Sequence, residues 1–317
     1  MNAMHNELLF LKPDFQPRIW GGRALEEKFG YDIPVGNIGE CWGISAHPNG
    51  ESTIKNGQYA GLKLSELWQQ VPEIFGNPKE EVFPLLVKIL DANADLSVQV
   101  HPDDTYAKKH ENGELGKTEC WYVLDCDADA EIIFGHHALT KKEAEQMIKN
   151  DEWDRFLKRV PIKKGDFFYV PSGTIHALCT GALILEVQQS SDTTYRLYDY
   201  HRLDDAGNPR ELHIEKSLDV STIPHKSETT VREVIIENET LSVTRLVSNA
   251  FFTVLKYDVH GTAKHQFDPS TYTLISVISG SGTFSGIPVK KGDHVIVPVG
   301  SDEFQLDGTF EMIVAQP

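Results

Sequence analysis

KKGDFFYVPSG at residues 163–173 and KKGDHVIVPVG at residues 290–300 align without a gap, 127 residues apart. In both, a Gly-Asp turn leads into an apolar run that leaves through Pro-x-Gly. That is the pattern of a short strand entered and left by tight turns. Two copies of one β-unit a domain length apart predict two related barrels. The first copy continues as TIHAL, placing a histidine at 176; the corresponding position in the second is Glu303. Only the first barrel is therefore expected to hold a metal.

Around the two copies the chain reads as short strand-like runs bounded by Gly, Pro or Asp. Among them are 81–90, 96–101, 118–125, 131–135, 182–189, 231–238, 251–259, 271–279, 282–286, 293–298 and 310–315. Such spacing predicts an all-β framework of sandwiches or barrels. Helical periodicity is confined to about 62–75, 103–111 and 140–159, which read as insertions. Thr140 suits a helix N-cap for the last of these. The expected organisation is a metal-containing domain over residues 1–235 and a second barrel over 236–317. A charged connector around 204–231 would act as a hinge.

Bulk composition narrows the function. The 317 residues carry 47 acidic and 30 basic side chains, a formal charge of −17. Such a field repels nucleic acid and anionic membranes, and an anionic substrate would need a local basic pocket. Residues 1–15 have neither a basic n-region nor a long apolar run, so no signal peptide or membrane span is expected there. Cys41, Cys120, Cys126 and Cys179 form no CxxC pair, and are read as reduced thiols of a cytoplasmic protein.

The chemistry-bearing residues concentrate in the first half. In LSVQVHPDD (96–104), alternation places Ser97, Gln99 and His101 on one face and Leu96, Val98 and Val100 on the other. In GKTECWYVL (116–124), Lys117 and Glu119 share a face. Imidazole nitrogens with carboxylate or amide oxygens form a donor set for a divalent metal. Gln99, His101, Glu119 and His176 are the candidate ligands. Each has a plainer reading: a satisfied barrel histidine, or a carboxylate paired with Lys117. Lys88, in the apolar run PLLVKIL, either snorkels at a strand end or lines a cavity. Glu40 and Trp42 in GECW could seal the barrel or meet a ligand, the sealing role being favoured. His110, His136 and His137 have no partner pattern and are read as surface residues.

GDFFYVPSGTIHAL is similar to the second motif of cupins, with QVHPDD in place of the first. Seven motifs in order resemble type I phosphomannose isomerases of the shorter bacterial form. They are RIWGG (18–22), GECWGIS (39–45), FPLLVKILDA (83–92), LSVQVHPDD, GKTECWYVLD (116–125), PSGTIHAL (171–178) and SSDTTYRLYDY (190–200). The resemblance implies two cupin-type jelly-roll barrels and one Zn²⁺ per chain on His101, Glu119, His176 and Gln99. It further implies interconversion of mannose 6-phosphate and fructose 6-phosphate. Arg196 falls at the family's active-site arginine, and Ser97, Lys117 and Asp192 fall on pocket positions. Where longer members follow the metal histidine with Ala and an aromatic residue, Leu178 stands here.

Such an isomerisation removes a proton beside a carbonyl and passes through an enediol or enediolate. It needs a Lewis acid, a fixed cation for the developing oxyanion and a proton carrier. Arg196 suits the cation role and cannot be the base. Metal-bound hydroxide, His101 or a nearby carboxylate remain open as proton carrier. Lys117 and Ser97, with Lys88, would hold a phosphate. The expected partner is a small sugar phosphate, with the protein a monomer or homodimer. Two other functions share the ligand set: a cupin dioxygenase, which has no use for Lys117 and Arg196, and a non-catalytic sugar-phosphate-binding protein.

Overall fold

The computed structural model describes residues 7–203, 207–227 and 230–317. Strands dominate, and all the pairings that position the site are antiparallel. The first barrel is a sandwich of two sheets. One runs in the order Phe167–Val170, Glu119–Cys126, Ala182–Gln189, Leu85–Ala92, Ile38–Ile44, Asp14–Gly22. The other runs Leu157–Pro161, Glu131–His136, His176–Leu178, Val98–Val100, Tyr195–Tyr198. The second barrel is built from a nine-stranded sheet that curls around its own core of Val243, Ile275, Val295, Leu306 and Met312.

The halves are interleaved. Strand Leu9–Lys12, at the chain's start, pairs with His294–Val297 of the second barrel. Residue 235 falls inside Glu233–Glu237, a strand paired only with Leu241–Ser248. The seam between the barrels is apolar. Cys41, Ile44, Leu85, Val87, Ile89, Tyr122 and Leu185 of the six-stranded sheet meet Leu246, Phe252, Leu274, Ile296 and Ile313. This explains why Leu85–Ala92 is so largely apolar: it is buried along its whole length, with Lys88 and Asp91 as its only charged residues.

At the end of the seam, Phe83 (1% exposed) packs edge-on against Trp68 at 5.2 Å and lies 5.7 Å from Tyr272. Phe83→Ala leaves a cavity that these rigid rings cannot close. It is expected to cost about 3–5 kcal/mol, read as a lower denaturant midpoint at unchanged m-value.

Three sequence expectations change. The helix expected over 140–159 is two, Lys141–Lys149 and Trp153–Phe156, broken at Asp151 with φ 58°. Its tail, Leu157–Pro161, is a strand pairing with Glu131–His136. His136 is not on the surface: it is 5% exposed, stacked on Phe156, with Nε2 3.1 Å from the Thr222 carbonyl. The runs 271–279 and 282–286 are one strand, Thr273–Phe284.

Candidate active site

Strand register builds the site. Across the six-stranded sheet, Trp42 aligns with Lys88, Lys88 with Glu186, and Glu186 with Trp121. Across the facing sheet, His176 aligns with Gln99 and Gln99 with Arg196. Directly opposed residues share a face, so each row is one continuous polar stripe aimed into the barrel. Between them lies a cavity of about 270 Å³ lined by Ser97, Gln99, Lys88, Lys117, Glu186, Asp192 and Arg196, among others. A larger cavity of about 570 Å³ opens at the barrel seam beside Trp68 and Tyr272, and holds no residue of the candidate cage.

Behind Gln99 and Lys117 of the cavity lining, His101, Glu119 and His176 converge, all at most 1% exposed, with ligand atoms within 4.8 Å of one another. His101 Nδ1 lies 2.8 Å from the Thr193 carbonyl and His176 Nδ1 lies 2.8 Å from that of Thr174. A carbonyl only accepts, so each imidazole carries its proton on Nδ1 and turns the Nε2 lone pair inward. Nε2 of His101 is 3.6 Å, and Nε2 of His176 3.3 Å, from the Glu119 carboxylate. Glu119 Oε1 and His176 Nε2 are buried without a hydrogen-bond partner, and Glu119 Oε2 meets the Lys117 ammonium. Leaving such groups unsatisfied is expensive, and a divalent cation held by all three residues would satisfy them together. The ammonium of Lys117, 2.8 Å from Glu119 Oε2 and 3.2 Å from His101 Nε2, shows the sign of charge this cage attracts.

Burial and neighbouring charge tune the groups. Burial, reinforced by Lys117, holds His101 well below the usual histidine range, and burial brings His176 down to about 4. Both imidazoles are therefore neutral near pH 7 and could serve as ligands. Burial opposes the charge on Lys117, but Glu119 and Glu186 outweigh it and raise its pKa. Burial, with the charge of Glu119, raises the Glu186 carboxyl above the ordinary range.

The histidine shifts set a stability window. The unfolded chain binds protons at these imidazoles below about pH 6.5, whereas folded His176 resists until about pH 4. Metal-free protein should therefore lose stability as pH falls from 6.5 toward 4. Its thermal midpoint should drop across that window, and less so in His176→Gln.

Arg196 donates from Nε to Ser97 Oγ at 3.3 Å and from Nη1 to the Glu211 carbonyl at 2.9 Å. It makes no ion pair with a described carboxylate, whereas Arg18 is held by Glu40 and Arg210 by Asp199. Asp192 accepts from Asn49 Nδ2 at 2.9 Å. Glu211 and His213 belong to the connector expected to be a hinge. Its described part instead lines Arg196 and continues as helix Ile214–Val220, with Leu218 packed under the five-stranded sheet.

The sequence reading missed Glu186, Arg18 and Arg210 as cavity residues, and favoured a sealing role for Glu40 and Trp42. Glu40 lines the cavity and accepts from Trp42 Nε1 at 2.6 Å, and Lys88 Nζ sits 4.6 Å over the Trp42 ring. Glu186 carried a signal: a single carboxylate inside the apolar strand ALILEVQQ. Trp121 Nε1 donates to it at 2.9 Å. Lys88, 3% exposed, lies on the cavity side of its strand. Glu303, the second-barrel counterpart of His176, is exposed and pairs with Lys264 at 3.3 Å.

Fold and site together define a two-barrel cupin protein with, among the described residues, one histidine–carboxylate cage beside a cationic cavity. Residues 8–125 match the phosphomannose isomerase type I catalytic domain, and residues 242–317 match the mannose-6-phosphate isomerase cupin domain. The chain is 54% identical over 317 residues to the mannose-6-phosphate isomerase ManA of Bacillus subtilis, covering 98% of this chain and 99% of that one. It is 52% identical over 313 residues to the mannose-6-phosphate isomerase of Streptococcus mutans, covering 98% of each. The crystal structure of the mannose 6-phosphate isomerase from Bacillus subtilis superposes with a TM-score of 0.95 at 48% identity, over 98% of this chain and 99% of that one. The chain belongs to the type I phosphomannose isomerase family.

Proposed function

We propose that this site carries out the family's reaction, the interconversion of mannose 6-phosphate and fructose 6-phosphate, with a zinc ion held by His101, Glu119 and His176. The observation that carries this is the buried Glu119 carboxylate set between two inward-facing Nε2 atoms, with its Oε1 and His176 Nε2 left without a hydrogen-bond partner. Two imidazoles and a carboxylate are a donor set that would suit zinc. Gln99, between His176 and Arg196 in register, is the candidate for an additional ligand or a sugar-hydroxyl contact. When bound, the ion polarises the sugar carbonyl or its hydroxyls as a Lewis acid.

The chain's own residues supply the rest. Lys117, beside the cage, holds a fixed positive charge where oxygen charge develops at the reacting carbons. Arg196 lies two strands from His176, about 10 Å away at the usual strand spacing. That is the length of a hexose, so Arg196 with Ser97 receives the phosphate, and Lys117 takes the oxyanion role expected of the arginine. Lys88 and Asp192 contact hydroxyls between the two ends. Glu186, raised above the ordinary carboxyl range, with Oε1 bonded to Trp121 and Oε2 3.7 Å from the Lys88 ammonium, moves the proton between neighbouring carbons. No helix among the described residues is long and apolar enough to cross a membrane. The four unpaired cysteines support the cytoplasm as the compartment.

The test is a coupled assay converting fructose 6-phosphate to mannose 6-phosphate. Chelator should abolish turnover and Zn²⁺ should restore it. Turnover that persists after complete removal of metal would end the metal-dependent reading.

A further inference from the structure

The second barrel has no described cage of its own, yet one of its side chains reaches the wall of the catalytic cavity. In the repeated KKGD unit, the second copy has His294 where the first has Phe167. His294 is 1% exposed, and its ring lies against Gly43 of strand Ile38–Ile44. A Cβ added at Gly43 would fall 2.2 Å from His294 Cε1 and 2.4 Å from Nδ1, so the imidazole occupies the space that any side chain at 43 would need.

The ring is fixed from both sides. Tyr31 Oη donates to the Gly292 carbonyl at 2.9 Å and so accepts from His294 Nε2 at 3.0 Å. Ser276 Oγ then donates to Nδ1 at 2.8 Å. Gly43 is also where the register slips: Trp42 pairs with Lys88 and Ile44 with Val87, leaving Gly43 as the extra residue of a bulge. Bulges re-aim neighbouring side chains. Here the bulge follows directly on Trp42, which bonds Glu40 and carries the Lys88 ammonium over its ring.

We infer that His294 is a positioning residue for the substrate cavity: its ring props the Gly43 bulge and so sets the Trp42–Lys88–Glu40 wall from the second barrel. The inference rests on reading Trp42 and Lys88 as part of the substrate cavity. It gives the second barrel a task in the reaction other than providing a metal site. The geometry makes bulk the operative property, since the ring faces a glycine and its polar atoms are all engaged within the seam.

The test compares His294→Ala, His294→Phe and the double variant His294→Ala/Gly43→Ala in the full zinc-loaded chain. His294→Ala should raise KM for fructose 6-phosphate about tenfold, a part of the roughly 10²-fold that a full 1 Å misplacement can cost, with one metal per chain retained. His294→Phe keeps a ring against Gly43 and loses both hydrogen bonds. It should keep KM near wild type even where its unfolding midpoint falls. The double variant puts a methyl into the vacated space and should recover part of the loss. Gly43→Ala alone, which drives a methyl into the ring, should be worse than the double. A folded His294→Ala with unchanged KM, or equal KM losses in Ala and Phe, would overturn the inference. Should His294→Ala fail to fold, Gly43→Ala decides: unchanged KM in that variant would overturn the prop equally. Lys88→Met separates the two readings, because unchanged KM there removes Lys88 from the cavity wall without touching the prop.

Discussion

Glu119→Gln should empty the cage and remove essentially all turnover. The carboxylate is fully buried and is the single anionic member of the triad. An amide keeps its shape, but removes the charge that compensates a dication in a site closed to water. Metal content by elemental analysis should fall from one per chain to near zero. Activity should fall by at least about 10³-fold, since the ion supplies several kcal/mol to the transition state and each 1.4 kcal/mol is a factor of ten. A second consequence separates this variant from simple ligand loss. The Lys117 ammonium sits 2.8 Å from Glu119 and is 4% exposed, so the substitution leaves a buried cation with only the more distant charges of Glu186 and Asp192 to offset it. Breaking a buried pair from one side typically costs about 3–5 kcal/mol. The denaturant midpoint of the metal-free variant should drop accordingly, and Lys117→Met should restore part of it without restoring activity. A Glu119→Gln protein that binds zinc at one per chain with undiminished turnover would remove Glu119 from the cage.

How much of this was legible in the chain follows from which forces are local. The clustering of His101, Glu119 and His176 as candidate ligands could be read because strand alternation is a backbone property and their motifs lie in order. The polar rows across the sheets could not be, since they depend on which strands pair and in what register. That is how Glu186, on the strand Ala182–Gln189, comes to stand between Lys88 and Trp121. Arg18 and Arg210 escaped for the same reason: they enter the cavity from the sheet edge and from the connector. The helix expected through residue 159 failed at Asp151, where a left-handed backbone ends the turn and sheet pairing with Glu131–His136 captures the remainder. His136 looked like a surface residue because its burial is supplied by Phe156 and Thr222, on other elements. The interleaving of the two halves through Leu9–Lys12 leaves no local mark at all, because a four-residue apolar strand reads the same in either barrel.

Arg196→Ala should abolish most activity while leaving the metal in place. Its side chain makes no contact with His101, Glu119 or His176, and its own bonds run to Ser97 Oγ and the Glu211 carbonyl. Metal content should therefore stay at one per chain, which distinguishes this loss from that of Glu119→Gln. Every other cation of the cavity faces a carboxylate: Lys117 faces Glu119, Lys88 faces Glu186, Arg18 faces Glu40 and Arg210 faces Asp199. In a chain of formal charge −17, this guanidinium, paired with no described carboxylate, is the group that can accept a phosphate dianion without first giving up an ionic partner among the described residues. The loss in kcat/KM should be about 10²–10³-fold. It should appear in kcat as well as KM, because binding energy from a remote phosphate helps align the reacting carbons. Arg196→Lys should recover only a fraction, since an ammonium cannot reproduce the bidentate fork. With unphosphorylated mannose or fructose as substrate, the difference between wild type and Arg196→Ala should shrink toward nothing. If it stays as large as with the phosphorylated sugar, Arg196 acts at the reacting carbons and not on the phosphate.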